Sequence, residues 1–298
     1  MHTTTRRTFV KNASLAALSV GILGCGDSQQ SSESATTSLT PEPSISLPKI
    51  GLQLWTVRDL IEKDLAGTLA QVAEIGFGGV ETAFWPEGVS LEQGAKALET
   101  AGLSVFAIHV ELPLGENKAL FTEMADAYHC KRLVWHGWPE DERYKTLGGT
   151  QELAKIYEDA AALAKEHGLS FGLHNHWWEF EKMEDADMMP FDWLLANLSE
   201  EIFFELDTYW AKVAGSDPAQ LMKKWGKRAP LLHIKDGPAK HDEPMLAVGK
   251  GVQDFPAIAK AGEGAIEWMI VEMDECATDM MTAVKESHAY LVEQGLGA

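Results

Sequence analysis

Eight short apolar runs rich in β-forming residues recur along the chain, each beginning 25 to 38 residues after the previous one. Segments with the apolar periodicity of helices lie between them. This alternation is typical of successive βα units, in which parallel strands pack against a layer of helices. The predicted strands are 50–55, 79–82, 104–109, 132–136, 170–174, 202–207, 231–235 and 267–272. The predicted helices are 65–75, 91–101, 118–128, 150–167, 191–197, 218–225, 255–261 and 278–294.

Eight units of this kind predict the α/β class and a closed (β/α)8 barrel, the TIM barrel, over residues 49–298. About 250 residues is the usual size of such a barrel. A doubly wound open sheet is the alternative. That fold often carries a glycine-rich phosphate-binding turn after its first strand, and this chain has none, which favours the barrel.

The first 25 residues resemble an export signal rather than part of the fold. Arg6 and Arg7 precede an apolar stretch at 13–23, which is too short to span a bilayer as a mature helix. The arginines predict export by the Tat translocon, and Cys25 after Ile-Leu-Gly is the predicted lipidation site of a lipoprotein. A soluble Tat substrate is the alternative. The polar residues 26–48 predict a flexible tether, so we expect a periplasmic or cell-envelope protein with a membrane anchor.

The charge of the chain narrows the range of partners. The formal net charge is −20, and removal of residues 1–24 takes away three positive charges and leaves −23. Such a field repels nucleic acid, and it disfavours sugar phosphates more weakly because a bound metal can reverse the local potential. An uncharged small molecule, such as a neutral sugar, fits this charge best.

Two cysteines remain in the predicted barrel. Cys130 precedes a predicted strand and Cys276 follows one, so a barrel would place them at opposite ends. We therefore expect no disulfide between them.

Several metal-binding side chains end the apolar runs. Apolar runs favour burial and carboxylates do not, but a barrel that displays its strand ends in a cleft accommodates both. Nitrogen and oxygen donors brought together there would bind a divalent ion such as Mn, Co, Zn or Fe. The candidate donors are His174, His176, Asp207, His233 and Glu272.

Further side chains at the strand ends are candidates for substrate contacts. Gln53 and Trp55 share the parity of one strand, so both are expected to point into the mouth of the barrel. Lys235 shares parity with His233 and is expected either to stabilise an oxyanion or to form a structural ion pair. Glu81 is expected either to orient a ligand or to form a salt bridge at the rim. Sugar faces stack on indole rings. The remaining candidates of this kind are His109 and Trp210, and the tryptophans near strand ends are Trp55, Trp85, Trp135, Trp138, Trp177, Trp178 and Trp210.

These motifs together resemble the xylose isomerase-like TIM barrel superfamily, and more closely the proteins called sugar phosphate isomerase/epimerase. The resemblance runs from about Lys49 to the C-terminus. The motifs are Gly-Leu-Gln-Leu-Trp-Thr-Val-Arg at 51–58, Gly-Val-Glu at 79–81, His-Asn-His-Trp-Trp-Glu-Phe at 174–180, Leu-Asp-Thr-Tyr-Trp at 206–210, His-Ile-Lys-Asp at 233–236 and Glu-Met-Asp at 272–274.

The resemblance implies a divalent metal held by Glu, Asp, His and Glu on strands five to eight. Asp207, His233 and Glu272 match the last three of these ligands. Strand five departs from the pattern, because His174 occupies the place of the carboxylate. His176 is the competing ligand, and Glu179 lies further along the same loop.

The implied chemistry is that of an isomerase or epimerase acting through an enediolate. Ketose epimerases of the superfamily use the carboxylates of strands five and eight as a pair, and this chain retains only Glu272. His176, Glu179 and Lys235 are the other candidate catalytic residues. A keto-sugar or inosose dehydratase or lyase, and a non-catalytic sugar-binding lipoprotein, are the alternatives. An apurinic endonuclease on this barrel is disfavoured by the negative charge and the export signal.

Overall fold

Eight parallel strands close into one barrel in chain order, β1 to β8, with β8 pairing with β1. The computed structural model describes residues 46–298. The closed barrel confirms the predicted fold and excludes the open sheet. The predicted signal peptide, Cys25 and all but the last three residues of the tether lie outside the described residues. The strands are β1 (Lys49–Gln53), β2 (Gly79–Thr82), β3 (Ser104–Val110), β4 (Arg132–Trp135), β5 (Ser170–His174), β6 (Phe203–Asp207), β7 (Leu231–Ile234) and β8 (Trp268–Val271).

The described residues contain ten α-helices, two more than the sequence predicts. The additional helices, α1 and α7, are single short helices that follow β1 and β6 at the C-terminal end of the barrel. Helix α5 begins three residues before its predicted start because the Thr146 side chain accepts a hydrogen bond from Gly149 N. The helices are α1 (Arg58–Lys63), α2 (Leu65–Ile75), α3 (Leu91–Ala101), α4 (Lys118–Tyr128), α5 (Leu147–Glu166), α6 (Pro190–Asn197), α7 (Thr208–Val213), α8 (Pro218–Trp225), α9 (Phe255–Ala261) and α10 (Met280–Glu293).

The interior of the barrel is apolar at its N-terminal end. Phe106 and Trp268 stack there with ring centroids 3.8 Å apart. A Cβ atom on Gly51 would lie 2.5 Å from the Phe106 ring, so only glycine leaves room for this stack. A small apolar layer packs on these rings, and the strand positions nearer the C-terminal end carry polar side chains. The layer consists of Ala107, Val134, Leu231 and Ile270.

The long connection between β7 and α9 is organised by one buried carboxylate, that of Asp236. Its Oδ1 accepts hydrogen bonds from the backbone of Gly237 and Gln253, and its Oδ2 accepts from Gly249 and Gly251. A Cβ atom on Gly251 would lie only 2.1 Å from Oδ1. The carboxylate therefore fixes the loop that follows the predicted site residues of β7.

Cys130 and Cys276, the two cysteines among the described residues, are both free thiols. Between residues 46 and 298, no helix combines the length and the apolar character needed to cross a membrane.

Candidate active site

Three of the predicted metal ligands meet at the C-terminal ends of neighbouring strands. Asp207 ends β6, His233 lies opposite it in register on β7, and Glu272 follows β8. One donor atom from each of the three side chains lies within 4.8 Å of the other two, and all three residues are buried. The group can therefore surround a single small cation.

Asp207 presents one free oxygen to this group. Its Oδ1 caps α7 by accepting hydrogen bonds from Tyr209 N (3.0 Å) and Trp210 N (2.9 Å). Its Oδ2 is buried and accepts no hydrogen bond, although Lys235 Nζ lies 3.0 Å away. Burial raises the pKa of Asp207 to about 6, against the opposing effect of Lys235. A buried carboxylate oxygen without a hydrogen-bond partner is an atom that a bound cation would satisfy.

Lys235 is a fully buried cation among carboxylates, only 1% exposed. Its Nζ lies 2.7 Å from Asp274 Oδ2, 2.8 Å from Glu272 Oε2 and 3.0 Å from Asp207 Oδ2. Burial opposes its charge, but the three carboxylates outweigh burial and raise the pKa of Lys235 well above its usual value. The ammonium is therefore charged, and it is both an ion-pair partner and a donor that could stabilise an oxyanion.

Glu272 is held in its charged form. Burial opposes ionisation, but Lys235 and His233 outweigh it and lower the pKa of Glu272. His233 Nδ1 lies 2.6 Å from Glu272 Oε2. A carboxylate in this state is available as a ligand or as a proton acceptor.

A second polar layer lies directly beneath, and sequence reasoning missed its central residue, Glu205. Donor atoms of His109, His174, Glu205 and His233 lie within 4.8 Å of one another. Glu205 Oε1 is 2.8 Å from His109 Nε2 and 3.0 Å from both His174 Nδ1 and His233 Nε2. The signal was present in the sequence, because Glu205 is two residues before Asp207 on β6 and so faces the same side of the strand.

Glu81 completes this layer and, with Glu205, orients His233. Its Oε2 lies 2.7 Å from His233 Nε2 and accepts a hydrogen bond from Gln53 Nε2 at 2.8 Å. Burial and the neighbouring Glu205 carboxylate raise the pKa of Glu81 to about 7. Because both carboxylates contact Nε2, His233 directs Nδ1 towards Asp207 and Glu272. Nδ1 is thus the atom that a cation between those two carboxylates would bind.

The end of β5 and the segment after it carry the two candidate strand-five ligands, His174 and His176. The strand ends at His174, so His174 and His176 do not share a strand face. His174 Nδ1 contacts Glu205, and its Nε2 lies 3.9 Å from Asp207 Oδ2, which places His174 between the two layers. The ring of His176 stacks on Trp178 with centroids 4.4 Å apart.

Glu179 is the second candidate acid or base. It is fully buried, and its Oε2 accepts a hydrogen bond from His176 N at 2.9 Å. Burial raises the pKa of Glu179 to about 8, against the backbone hydrogen bonds that lower it. Its Oε1 and His176 Nδ1 both lack a hydrogen-bond partner, and both face Gly137, whose Cβ position is 3.6 Å and 3.5 Å from them.

The prediction that Gln53 and Trp55 share one face of a strand is wrong. Gln53 is buried and bonds to Glu81, but β1 ends there and Trp55 lies in the following 3-10 turn, 38% exposed at the rim. Side chains alternate between the two faces only as far as the strand itself continues. Trp210 lies in α7, where it packs on Trp177 and has Lys235 Nζ 5.4 Å from a ring centroid.

The donor set fits a divalent metal with nitrogen and oxygen ligands. Buried polar atoms without a hydrogen-bond partner are uncommon in folded proteins, and here five of them belong to carboxylates and a histidine of the two polar layers and the segment after β5. The five atoms are Glu81 Oε1, His176 Nδ1, Glu179 Oε1, Glu205 Oε2 and Asp207 Oδ2.

Comparison with known families and structures agrees with this architecture. The model of the family described as xylose isomerase-like TIM barrel matches residues 69–294, well over half of the chain. Comparison with curated protein sequences gave no significant match.

Solved structures share the fold at low identity. A sugar phosphate isomerase/epimerase from Parabacteroides distasonis is 24% identical, with a TM-score of 0.71 over 83% of this chain and 98% of that chain. An L-ribulose 3-epimerase is 18% identical, with a TM-score of 0.60 over 84% and 95% of the two chains. The IOLI protein with a bound zinc atom is 14% identical, with a TM-score of 0.60 over 82% and 97%.

Proposed function

Because the chain belongs to the xylose isomerase-like TIM barrel family, we propose that it is a divalent-metal-dependent isomerase or epimerase of a neutral sugar or keto-sugar. The observation that carries the proposal is the buried group of Asp207, His233 and Glu272, in which Asp207 Oδ2 has no hydrogen-bond partner. The solved structures named as a sugar phosphate isomerase/epimerase and an L-ribulose 3-epimerase support the substrate class.

The proposed metal ligands are Asp207, His233, Glu272 and, from strand five, His174. A metal bound there would act as a Lewis acid that polarises the substrate carbonyl and so acidifies the neighbouring C–H bond. The zinc atom of the IOLI structure supports a metal in this fold, and nitrogen and oxygen ligands suit Mn, Co, Zn or Fe.

The proposed acid and base are two carboxyl groups with opposite pKa shifts. Glu272 is ionised because Lys235 and His233 lower its pKa, so it can accept the proton from carbon. Glu179, with a pKa raised to about 8 by burial, carries a proton at neutral pH and can donate it. Such divergence of pKa values is how enzymes separate acid from base. Lys235 donates to the oxygen on which charge develops, and His176 is the alternative proton carrier.

The pairing of an ionised Glu272 with a protonated Glu179 also favours a second candidate, a dehydratase or lyase acting on a keto-sugar. Elimination requires a base for the C–H bond and a separate acid for the leaving group, and Glu272 and Glu179 match these roles. His174 in place of the strand-five carboxylate removes the symmetrical pair that an epimerase of the usual kind would use.

A neutral substrate suits the charge of the protein. A formal charge of −20 opposes the approach of anionic sugars, and the second polar layer adds Glu81 and Glu205 below the site. We also propose that the protein is exported by the Tat translocon and anchored through a lipid on Cys25, as Arg6, Arg7 and the sequence preceding Cys25 suggest.

The test is isotope exchange. The metal-loaded full-length protein is incubated with neutral ketoses, 3-keto-sugars and inososes in deuterated water, and the products are analysed by NMR and mass spectrometry. Deuterium at a carbon next to the carbonyl is expected, with unchanged composition for an isomerase or epimerase and loss of water or another leaving group for a lyase. Absence of exchange with every compound would contradict the proposal.

A further inference from the structure

The large aromatic side chains that remain exposed are confined to one end of the barrel in the described chain. Trp55 follows β1, Phe84 follows β2 and Trp138 follows β4, and they are 38%, 49% and 55% exposed. All three therefore lie at the C-terminal rim, the end that carries Asp207, His233 and Glu272. Exposed aromatic rings grouped beside a candidate site indicate a surface for a ligand.

Two of these rings border a cleft of about 310 Å³ between the connections that follow β1 and β2. A volume of this order is at the lower limit of small-molecule sites and suits one ring rather than a long chain. The walls combine aromatic faces with charged groups. They include Trp55, Phe84, Trp85, Arg58, Glu62 and Glu87.

The guanidinium of Arg58, which lines the cleft, already donates hydrogen bonds to backbone carbonyls of the protein. Arg58 Nη1 donates to Trp55 O at 2.8 Å, and Nη2 donates to Asp274 O at 2.9 Å. Its guanidinium carbon lies 4.4 Å from the Trp55 ring centroid, so it covers one face of the indole. Because Asp59, Glu62 and Glu87 also line the cleft, its charge is net negative and an anionic group such as phosphate is disfavoured.

Hydrogen bonds through Asp274 link the wall of the cleft to the candidate metal site. The Asp274 carbonyl accepts from Arg58, and its Oδ2 lies 2.7 Å from Lys235 Nζ, which in turn contacts Glu272. Beneath the cleft wall, Gln53 and Glu81 bond to each other and belong to the polar layer of the site. The cleft therefore lies at the same end of the barrel as Asp207 and Glu272 and is joined to them by these contacts.

We propose that this cleft is a subsite for a second neutral sugar ring, so that the substrate is a disaccharide-like glycoside rather than a free monosaccharide. The inference rests on the proposed function. A sugar ring presents C–H bonds to an aromatic face and hydroxyl groups to carboxylates, and the cleft supplies Phe84 and Trp55 for the first and Glu62 and Glu87 for the second.

The test is binding, measured without turnover. Calorimetric affinities of the metal-loaded full-length protein are compared for methyl β-D-glucoside, phenyl β-D-glucoside and glucose disaccharides of several linkages, none of which carries the keto group. At least one disaccharide is expected to bind about tenfold more tightly than the methyl glucoside. Phe84→Ala and Trp55→Ala should reduce that ratio towards one, and Leu120→Ala, at an exposed position on α4, should leave it unchanged.

Three results would overturn the subsite. The first is equal affinity for the methyl glucoside and every disaccharide. The second is a ratio of disaccharide to methyl glucoside affinity that stays the same in both Phe84→Ala and Trp55→Ala. The third is a phenyl glucoside that binds as tightly as the best disaccharide and loses its higher affinity over the methyl glucoside in the same variants. The last result would assign the cleft to an aryl group. Failure of the isotope exchange with all substrates, with the binding ratio intact, would instead refute the proposed chemistry and leave the subsite standing.

Discussion

At the end of β8, the Glu272 carboxylate lies 2.8 Å from Lys235 Nζ and 2.6 Å from His233 Nδ1. The single side chain is therefore a metal ligand and a proton acceptor in the proposed reaction. Removing its charge separates the two roles, because an amide is a poor base and a weaker ligand than a carboxylate.

We expect Glu272→Gln to retain the fold and to lose turnover by about 10²–10⁴-fold, the usual cost of removing a positioned general base. Turnover and bound metal are measured on the same samples, with Glu293→Gln on α10 as the control for a surface amide. If Glu272 is only a ligand and His176 or Glu179 is the base, excess metal should restore part of the rate. Wild-type turnover in a metal-replete Glu272→Gln protein would rule out Glu272 as the base.

Substitution of Glu205 tests whether the second polar layer supports metal binding. It does not belong to the upper group of ligands, but its contacts at 3.0 Å with His174 and His233 hold both rings. Glu205→Gln should weaken metal affinity by about 10–100-fold, as changes to groups that orient metal ligands typically do. Metal titration is the measurement, and Glu201→Gln, at an exposed glutamate paired with Lys165, is the matched control. Equal affinities in the two variants would show that Glu205 does not support the site.

At the scale of elements, the connections that leave the strands decide which side chains reach the site. Asp236 accepts four backbone hydrogen bonds and so fixes the loop from β7 to α9. His241 of this loop packs edge-on against Trp177 with centroids 4.0 Å apart, which closes the loop over the aromatic side of the site.

Asp236→Ala should destabilise the protein by about 3 kcal/mol, because four backbone N–H groups lose their acceptor. For a domain of this size the melting temperature should fall by roughly 6–12 °C. Thermal unfolding and proteolysis within residues 237–254 are the measurements, and Asp242→Ala, on the exposed part of the same loop, is the control. Unchanged unfolding and cleavage in Asp236→Ala would contradict this role.

The sequence predicts the elements well wherever burial sets the pattern. The strands and most helices are recovered because apolar runs and caps such as Asp217 before Pro218 depend on neighbouring residues. Helix α7 is not predicted because Asp207, its cap, is interpreted only as a metal ligand. In the structure Oδ1 caps the helix and Oδ2 is the oxygen that a metal would bind. Trp55 was misplaced because nothing local in the sequence marks where β1 leaves its neighbour, and Glu205 was missed because its three histidine partners come from other strands.

At the scale of the whole molecule, the negative charge favours neutral solutes, and the predicted export signal is the basis of the proposed location at the cell envelope. Replacing Arg6 and Arg7 together by lysine should abolish export, since the Tat pathway depends on the arginine pair. Cys25→Ala should release the protein from the membrane without changing its thermal unfolding. Cell fractionation is the measurement, and a Cys25→Ala protein as membrane-bound as the wild type would refute lipidation.

The central claim is that Asp207, His233 and Glu272 hold one divalent cation. Elemental analysis of the full-length protein, after metal loading and dialysis against metal-free buffer, tests it most directly when Asp207→Asn is treated in parallel. Asparagine also caps helices, so the variant should keep α7 and lose only the charge of the free oxygen. We expect about one equivalent of Mn, Co, Zn or Fe per wild-type chain and at least a tenfold lower content in a folded Asp207→Asn protein. A wild-type protein without bound metal, or a variant that retains as much as the wild type, would contradict the account.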